Sequence, residues 1–107
     1  MTGITTHVLD TSCGRPAAGV PVVLERAMSA GWERVGRATT DADGRASGLL
    51  ASPPEPGRYR LTFDTGSYLA AGFYPEVSVT FEVSSDEEHY HVPLLLSPFG
   101  YSTYRGS

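Results

Sequence analysis

The chain of 107 residues contains no lysine, and its eight arginines are spread along the sequence without forming a block. Proteins that bind nucleic acid normally carry a clustered basic face, whereas the formal net charge here is −4. No stretch reaches the apolar length of a membrane span, and the opening residues, MTGITTHVLD, lack the basic and then apolar regions of a secretory signal. We therefore expect a cytoplasmic protein that binds neither nucleic acid nor membranes.

Cysteine is equally scarce, since Cys13 is the only one. It cannot form a disulfide within the chain, so nothing in the sequence indicates an oxidising compartment. A catalytic thiolate would require a histidine partner and an electropositive setting. Its segment, TSCGRP, is typical of a turn after a strand, and we assign Cys13 to a loop.

What the chain does contain is a series of short segments in which apolar and polar residues alternate, the pattern of half-buried strands. They include RYRLTFD, VSVTFEV and HYHVPLLL, together with VPVVLERAM and WERVGRATT, which we expect to be joined across residues 29–31. Turn signals separate these segments at strand spacing: CGRP, DADG, PPEPG and SPFG. The sequence predicts one all-β domain over residues 1–107, a β-sandwich of seven to eight strands.

Two details of this fold follow from single residues. Pro93 lacks a backbone N–H, so the last strand should have a bulge or a free edge at that point. The sequence TGSYLAAG predicts one short helix over residues 65–71, capped by Thr65 and ended by Gly72.

The three histidines are candidates for chemistry. His7, in TTHVLD, shares a strand face with Thr5 and Leu9, a setting in which a single histidine is usually structural. His89 and His91 are two residues apart, so they point to the same face about 7 Å apart. With His7 they could bind zinc and leave one position open for water. No acidic residue or cysteine is placed to support such a site, so we do not expect a metal.

The sequence DADG has two interpretations, a calcium loop or a tight turn. A calcium loop needs a further oxygen ligand before its glycine and a glutamate six residues after it. Here Arg45 follows the glycine directly, so a tight turn is favoured. The turn would place Arg45 at the start of a strand, where it is either a solvated surface residue or a directed guanidinium.

Four stretches resemble the 5-hydroxyisourate hydrolases, the transthyretin-like enzymes of urate breakdown: THVLDTSCGRPAAGVPV, DADGR, FDTGSY and HYHVPLLLSPFGYSTYRGS. The resemblance extends from Ile4 to Ser107, and the ending Tyr-Arg-Gly-Ser is specific to these enzymes. It implies a transthyretin-like sandwich that assembles as a homotetramer, with active sites between subunits. The link YLAAGFYPEV is shorter than in many relatives, which leaves the shape of the loop near Gly72 open.

The resemblance also implies an activity, the metal-free hydrolysis of 5-hydroxyisourate to 2-oxo-4-hydroxy-4-carboxy-5-ureidoimidazoline without any cofactor. It implies the site residues as well, which are His7, Arg45, His91, Tyr104 and Ser107, whereas His89 is not expected to be essential.

A histidine can take a proton from water near neutral pH, and an arginine can stabilise the developing oxyanion. Tyr104 would hold the substrate, and either the hydroxyl or the carboxylate of Ser107 would order the water. Which histidine acts as the base stays open. The alternative is a binding module that, like transthyretin, carries small ligands without turnover, because the fold alone does not decide function.

Overall fold

The computed structural model describes residues 3–85 and 88–106. Two sheets pack face to face and form a β-sandwich, with one 3₁₀ turn, Thr65–Ser67. Its strands are β1 Gly3–Asp10, β2 Arg15–Pro16, β3 Pro21–Met28, β4 Gly31–Thr39, β5 Arg45–Ala46, β6 Gly57–Phe63, β7 Val77–Val83, β8 His89–Ser97 and β9 Gly100–Thr103. Two of the nine, β2 and β5, have only two residues, so the seven long strands agree with the predicted sandwich.

The first sheet has the order β2-β1-β8-β9, with β5 also paired to β1, and the second has the order β4-β3-β6-β7. Strands β1 and β8, from opposite ends of the chain, pair in parallel over eight residue positions, from Gly3 beside His89 to Asp10 beside Leu96. The other strand pairs of the described chain are antiparallel. The predicted joint between β3 and β4 is confirmed, as only Ser29 and Ala30 lie between them.

The core lies between the two sheets and is built from alternate residues of each strand. Tyr59, Leu61 and Phe63 of β6 are buried, as the alternation predicted, and Val8 and Leu94 meet them from the first sheet. The intervening residues of β1 and β8 are half-buried on the outward face of the first sheet. That outward face is where polar side chains can gather without disturbing the core.

The predicted helix over residues 65–71 is wrong in its extent and in its cap. The 3₁₀ turn has three residues, Thr65–Ser67, and its cap is Asp64, whose carboxylate accepts a hydrogen bond from the Ser67 amide at 3.2 Å. Thr65 is instead fully buried, and its hydroxyl donates to the Tyr74 carbonyl. The carboxylate takes the cap because Thr65 is used to anchor the loop that follows.

That loop, the link near Gly72, folds back on the hairpin between β8 and β9. The Phe73 amide donates to the Pro98 carbonyl at 2.7 Å, and the Tyr74 ring meets the Tyr101 ring edge-on at 5.2 Å. The loop therefore lies away from the half-buried histidines of β1 and β8.

Pro93 interrupts the pairing of β8 with the C-terminal segment. Leu94 pairs with Thr103, and His91 forms a bridge with Gly106, so the register is the same on both sides of the interruption. In that register Pro93 lies opposite Tyr104, where its missing N–H would have been needed. The interruption is a local gap without a bulge, and β8 is not a free edge there, because Pro93 pairs with His7 on the other side and its carbonyl accepts a hydrogen bond from the Thr103 hydroxyl at 2.7 Å.

No helix among the described residues is long and apolar enough to cross a membrane.

Leu61→Ala should test the packing of the core. Leu61 is fully buried at the centre of the sandwich, so we expect the free energy of unfolding to fall by about 2–5 kcal/mol. Thr80→Ala, on the exposed face of β7, is the control and should change it by less than about 0.5 kcal/mol. Equal losses in chemical denaturation would contradict this assignment of the core.

Candidate active site

Strand register brings His7, Arg45 and His91 to the outward face of the first sheet. His7 lies beside Arg45 across the β1–β5 pair, and Thr5 lies beside His91 across the β1–β8 pair. Neighbouring strands are about 4.8 Å apart, so these residues share one surface although more than 80 positions separate His7 from His91. The structure thus groups three of the five residues that the sequence selected.

Arg45 is positioned by the predicted tight turn, which is confirmed. The Asp41 carbonyl accepts a hydrogen bond from the Gly44 amide at 2.9 Å, and the Asp41 carboxylate accepts from the amides of Asp43 and Arg45. The turn connects the two sheets instead of closing a hairpin within one of them, since β4 and β5 lie in different sheets. It delivers Arg45 to the start of β5, as expected.

The Arg45 guanidinium is free to meet a ligand. Its side chain is exposed and makes no hydrogen bond or ion pair with any other residue that the structure describes. Arg26, Arg58, Arg60 and Arg105, in contrast, each pair with a glutamate. An uncompensated guanidinium beside two imidazoles is suited to binding an anion or an electron-rich oxygen.

His7 is oriented by the same turn. Its Nε2 lies 2.9 Å from the Asp43 carbonyl oxygen. A carbonyl oxygen only accepts hydrogen bonds, so Nε2 carries the hydrogen and donates it. In the neutral ring, Nδ1 is then the nitrogen that can accept a proton.

His91 is held on two sides. Its Nδ1 lies 2.8 Å from the Thr5 hydroxyl, and its carbonyl accepts a hydrogen bond from the Gly106 amide at 2.8 Å. A Cβ atom at position 106 would lie 2.6 Å from Cδ2 of the His91 ring, so the chain approaches this ring closely enough to require glycine. Burial, and then the positive charges of Arg45 and the other two histidines, lower the pKa of His91.

The histidine face borders an open pocket of about 330 Å³, a volume within the range of small-molecule sites. Its walls include Thr5, Asp41, Arg45, His89 and His91. Thr5 also bonds the Nε2 of His89 at 3.0 Å, and so joins both histidines of β8. The sequence does not single out Thr5 as a site residue, although the face that it shares with His7 is a signal that could have included it.

Tyr104 lies apart from this group within one chain. It is 57% exposed and lines a smaller apolar pocket of about 140 Å³ with Val79, Phe81 and Val92. The neighbouring Arg105 pairs with Glu88 at 3.0 Å and lies over the Tyr90 ring. Ser107 lies outside the described residues.

The zinc alternative finds no support in the side-chain arrangement. In residues 3–85 and 88–106, no three His, Cys, Asp or Glu side chains are positioned to bind one metal ion. The rings of His89 and His91 are nearly parallel with centroids 6.5 Å apart, and each directs a nitrogen to the Thr5 hydroxyl.

The sequence profile of the HIUase/Transthyretin family matches residues 4–106. The chain belongs to this family. A 5-hydroxyisourate hydrolase of Salmonella typhimurium is 48% identical over 109 residues, which cover 97% of this chain and 80% of the relative.

Solved structures of the family agree. The 5-hydroxyisourate hydrolase of Klebsiella pneumoniae superposes with a TM-score of 0.86 at 38% identity, covering 97% of this chain and 98% of the other. Sea bream transthyretin in complex with thyroxine superposes with a TM-score of 0.89 at 31% identity, covering 96% and 93%. The fold is therefore shared by a hydrolase and by a protein seen with thyroxine bound, so the fold alone does not decide the function.

Gly44→Ala should show that the turn packs closely against β1. Gly44 has φ +75°, and a Cβ there would lie 2.4 Å from the Val8 carbonyl oxygen, so the backbone must shift. Gly48→Ala is the matched control, because Gly48 has φ +72° with nothing within 4 Å of its Cβ. The control should lose about 1–2 kcal/mol of stability, the cost of the left-handed conformation, and Gly44→Ala should lose more. Equal melting temperatures for the two variants would contradict the close approach.

The titration of His91 should reveal its surroundings. Because burial and nearby positive charge lower its pKa, we expect an NMR midpoint below about 6.5. Arg45→Met removes the second of these causes and should move the midpoint upward. Because the pKa of His91 is lower in the folded chain, the unfolded chain binds a proton first as the pH falls. The contribution of neutral His91 to the free energy of unfolding is therefore present above about pH 6.5 and is lost as the pH falls toward the folded pKa. A midpoint above that of a free imidazole would contradict the assignment.

Proposed function

We propose that this protein hydrolyses 5-hydroxyisourate to 2-oxo-4-hydroxy-4-carboxy-5-ureidoimidazoline, a step of urate breakdown. The observation that carries the proposal is the grouping of His7, Arg45 and His91 on one face, where Arg45 and His91 line an open pocket. The Salmonella and Klebsiella relatives, both named for this activity, match nearly the whole chain and support it.

The chemistry of the reaction fits these residues. A water molecule attacks the carbonyl carbon of the strained ring amide while an imidazole takes its proton. The negative charge that develops on the carbonyl oxygen is stabilised by the Arg45 guanidinium. The ring C–N bond then breaks, and the proton returns to the departing nitrogen. These steps require proton transfer and charge stabilisation, so we propose that no metal or organic cofactor takes part.

Neutral imidazoles are needed for these roles, and the surroundings of His91 supply one. Its lowered pKa keeps the ring uncharged at neutral pH, when it can accept a proton or donate an uncharged N–H. A cationic ring beside Arg45 would repel the guanidinium. The burial of His91 therefore supports its proposed part in the reaction.

We propose further that the complete site forms between subunits of a homotetramer. Tyr104 is exposed and lines a different pocket from His91, so a Tyr104 that holds the substrate would reach it from a neighbouring copy. The edge strand β9 offers backbone groups for pairing between copies. Ser107 follows Gly106, whose backbone amide bonds the His91 carbonyl, and the role of Ser107 in ordering the water is part of this proposal.

A cytoplasmic location is also proposed, in keeping with the single cysteine.

The alternative function is a carrier of small ligands, which the similarity to sea bream transthyretin favours. A carrier would bind its ligand saturably without turnover and would tolerate the loss of His7. The hydrolase requires that a freshly prepared substrate disappear faster with protein than in buffer.

The test is the ultraviolet decay of 5-hydroxyisourate generated in the assay, measured with wild-type protein and with Arg45→Ala and His91→Ala. We expect each variant to lower kcat/KM by about 10²–10⁴-fold while the tetramer mass is unchanged, because general-base and oxyanion-stabilising groups contribute factors of this size.

The matched control is Arg58→Ala, since Arg58 lies on the second sheet and pairs with the exposed Glu82. It should keep the wild-type rate. Decay with wild-type protein that is no faster than in buffer would overturn the proposed function.

A further inference from the structure

The Thr5 hydroxyl occupies an unusual position, because it lies between two imidazoles. Its oxygen is 2.8 Å from Nδ1 of His91 and 3.0 Å from Nε2 of His89. Both contacts are hydrogen-bond distances, and both rings stand on the same outward face of β8. A hydroxyl has one hydrogen, so Thr5 can donate to only one of the two rings, and the other ring must donate to Thr5.

The far nitrogen of His89 indicates the direction of these two bonds. His89 Nδ1 is buried and has no hydrogen-bond partner among the residues that the structure describes. A neutral imidazole carries one hydrogen, and an unpaired buried N–H is more costly than an unpaired lone pair, as its rarity in folded proteins indicates. The hydrogen of His89 therefore belongs on Nε2, where it can be donated to the Thr5 oxygen.

We propose that His89 and Thr5 form a positioning pair that fixes the tautomer of His91. The bonds run in one direction: His89 Nε2–H donates to Thr5 Oγ1, and the Thr5 hydroxyl donates to His91 Nδ1. His91 Nδ1 is then an acceptor, so the hydrogen of the neutral ring lies on Nε2. Gly106 closes the Cδ2 side of the ring and holds it in this orientation. His89, which the family resemblance does not imply to be essential, thereby acquires a role.

The consequence for the reaction rests on the proposed function. With its hydrogen on Nε2, His91 offers an N–H donor and lacks a free lone pair, so it polarises the substrate carbonyl instead of taking the proton of water. His7 has the complementary tautomer, because its Nε2 donates to the Asp43 carbonyl and its Nδ1 keeps a lone pair. His7 is then the proton acceptor, and the two imidazoles have different roles that their hydrogen-bond partners assign.

The tautomers can be measured directly on the wild-type protein. The chain has three histidines, so selective ¹⁵N labelling gives three pairs of ring nitrogens. Long-range ¹H–¹⁵N correlation at about pH 7.5, above the ordinary histidine pKa, distinguishes protonated from unprotonated nitrogens. We expect hydrogen on Nε2 of both His89 and His91. Hydrogen on Nδ1 of His91 would overturn the inference, whatever the activity of the protein.

Substitution of Thr5 supplies the second readout. Thr5→Val keeps the side-chain shape and removes the hydroxyl, and it should release His91 into a mixture of tautomers. The value of kcat should fall by about 10- to 100-fold, the range that orienting partners of functional histidines contribute in metal sites. Thr5→Ser keeps the hydroxyl and should recover most of the wild-type rate and the wild-type nitrogen shifts.

Thr62→Val is the matched control, because Thr62 lies on the outward face of the second sheet and its hydroxyl forms a hydrogen bond only with that of Ser78 among the described side chains. It should leave the rate and the histidine spectrum unchanged. Wild-type activity together with unaltered His91 shifts in Thr5→Val would overturn the positioning role alone. A wild-type protein that shows the expected tautomers without turnover would sustain the inference and refute the proposed function.

Discussion

The parallel pairing of β1 with β8 is the constraint on which the site depends. It joins two strands from opposite ends of the chain in a fixed register, with Thr5 beside His91. Because side chains alternate along a strand, a slip of one residue would turn His91 toward the core and expose Tyr90 and Val92. The hydrophobic core therefore fixes the register, and the register in turn fixes which polar groups meet on the outward face. Stability and site geometry have a common cause here.

Two backbone segments outside the long strands also shape the site, and each of them requires a glycine. At Gly44 the turn passes close to the Val8 carbonyl, and at Gly106 the C-terminal segment passes over the His91 ring. Each approach is possible only without a Cβ. The turn orients Arg45 and His7 together, since its Asp41 side chain bonds the Arg45 amide and its Asp43 carbonyl bonds the His7 ring. Residues that never touch a substrate thus set the directions of those we propose to do so.

Basic groups outnumber acidic ones on this face, where Asp41 also lines the pocket. Arg45, His7, His89 and His91 are neighbours, and four other arginines are paired with glutamates elsewhere on the surface. Burial and this positive charge lower the pKa of His91, and the positive charge also attracts electron-rich oxygen atoms. Transthyretin-like folds can serve as binding proteins, as the thyroxine complex of the sea bream relative illustrates. It is this concentration of imidazoles and a guanidinium that favours hydrolysis in the present chain.

The sequence by itself determined the faces. Period-two alternation decided that His89 and His91 point the same way and that His7 shares its face with Thr5, and the Asp-Gly turn decided where Arg45 begins its strand. These are local properties, fixed by backbone geometry within a few residues.

Only the tertiary structure decided which strands are neighbours, and hence that one threonine joins two histidines and that Tyr104 stands apart from them. The turn at Thr65 also depends on residues outside it, since Thr65 bonds the Tyr74 carbonyl nine positions along the chain and Asp64 is the cap. Strand pairing and burial depend on contacts between segments far apart in the chain. The sequence of one segment does not determine which other segments it will contact.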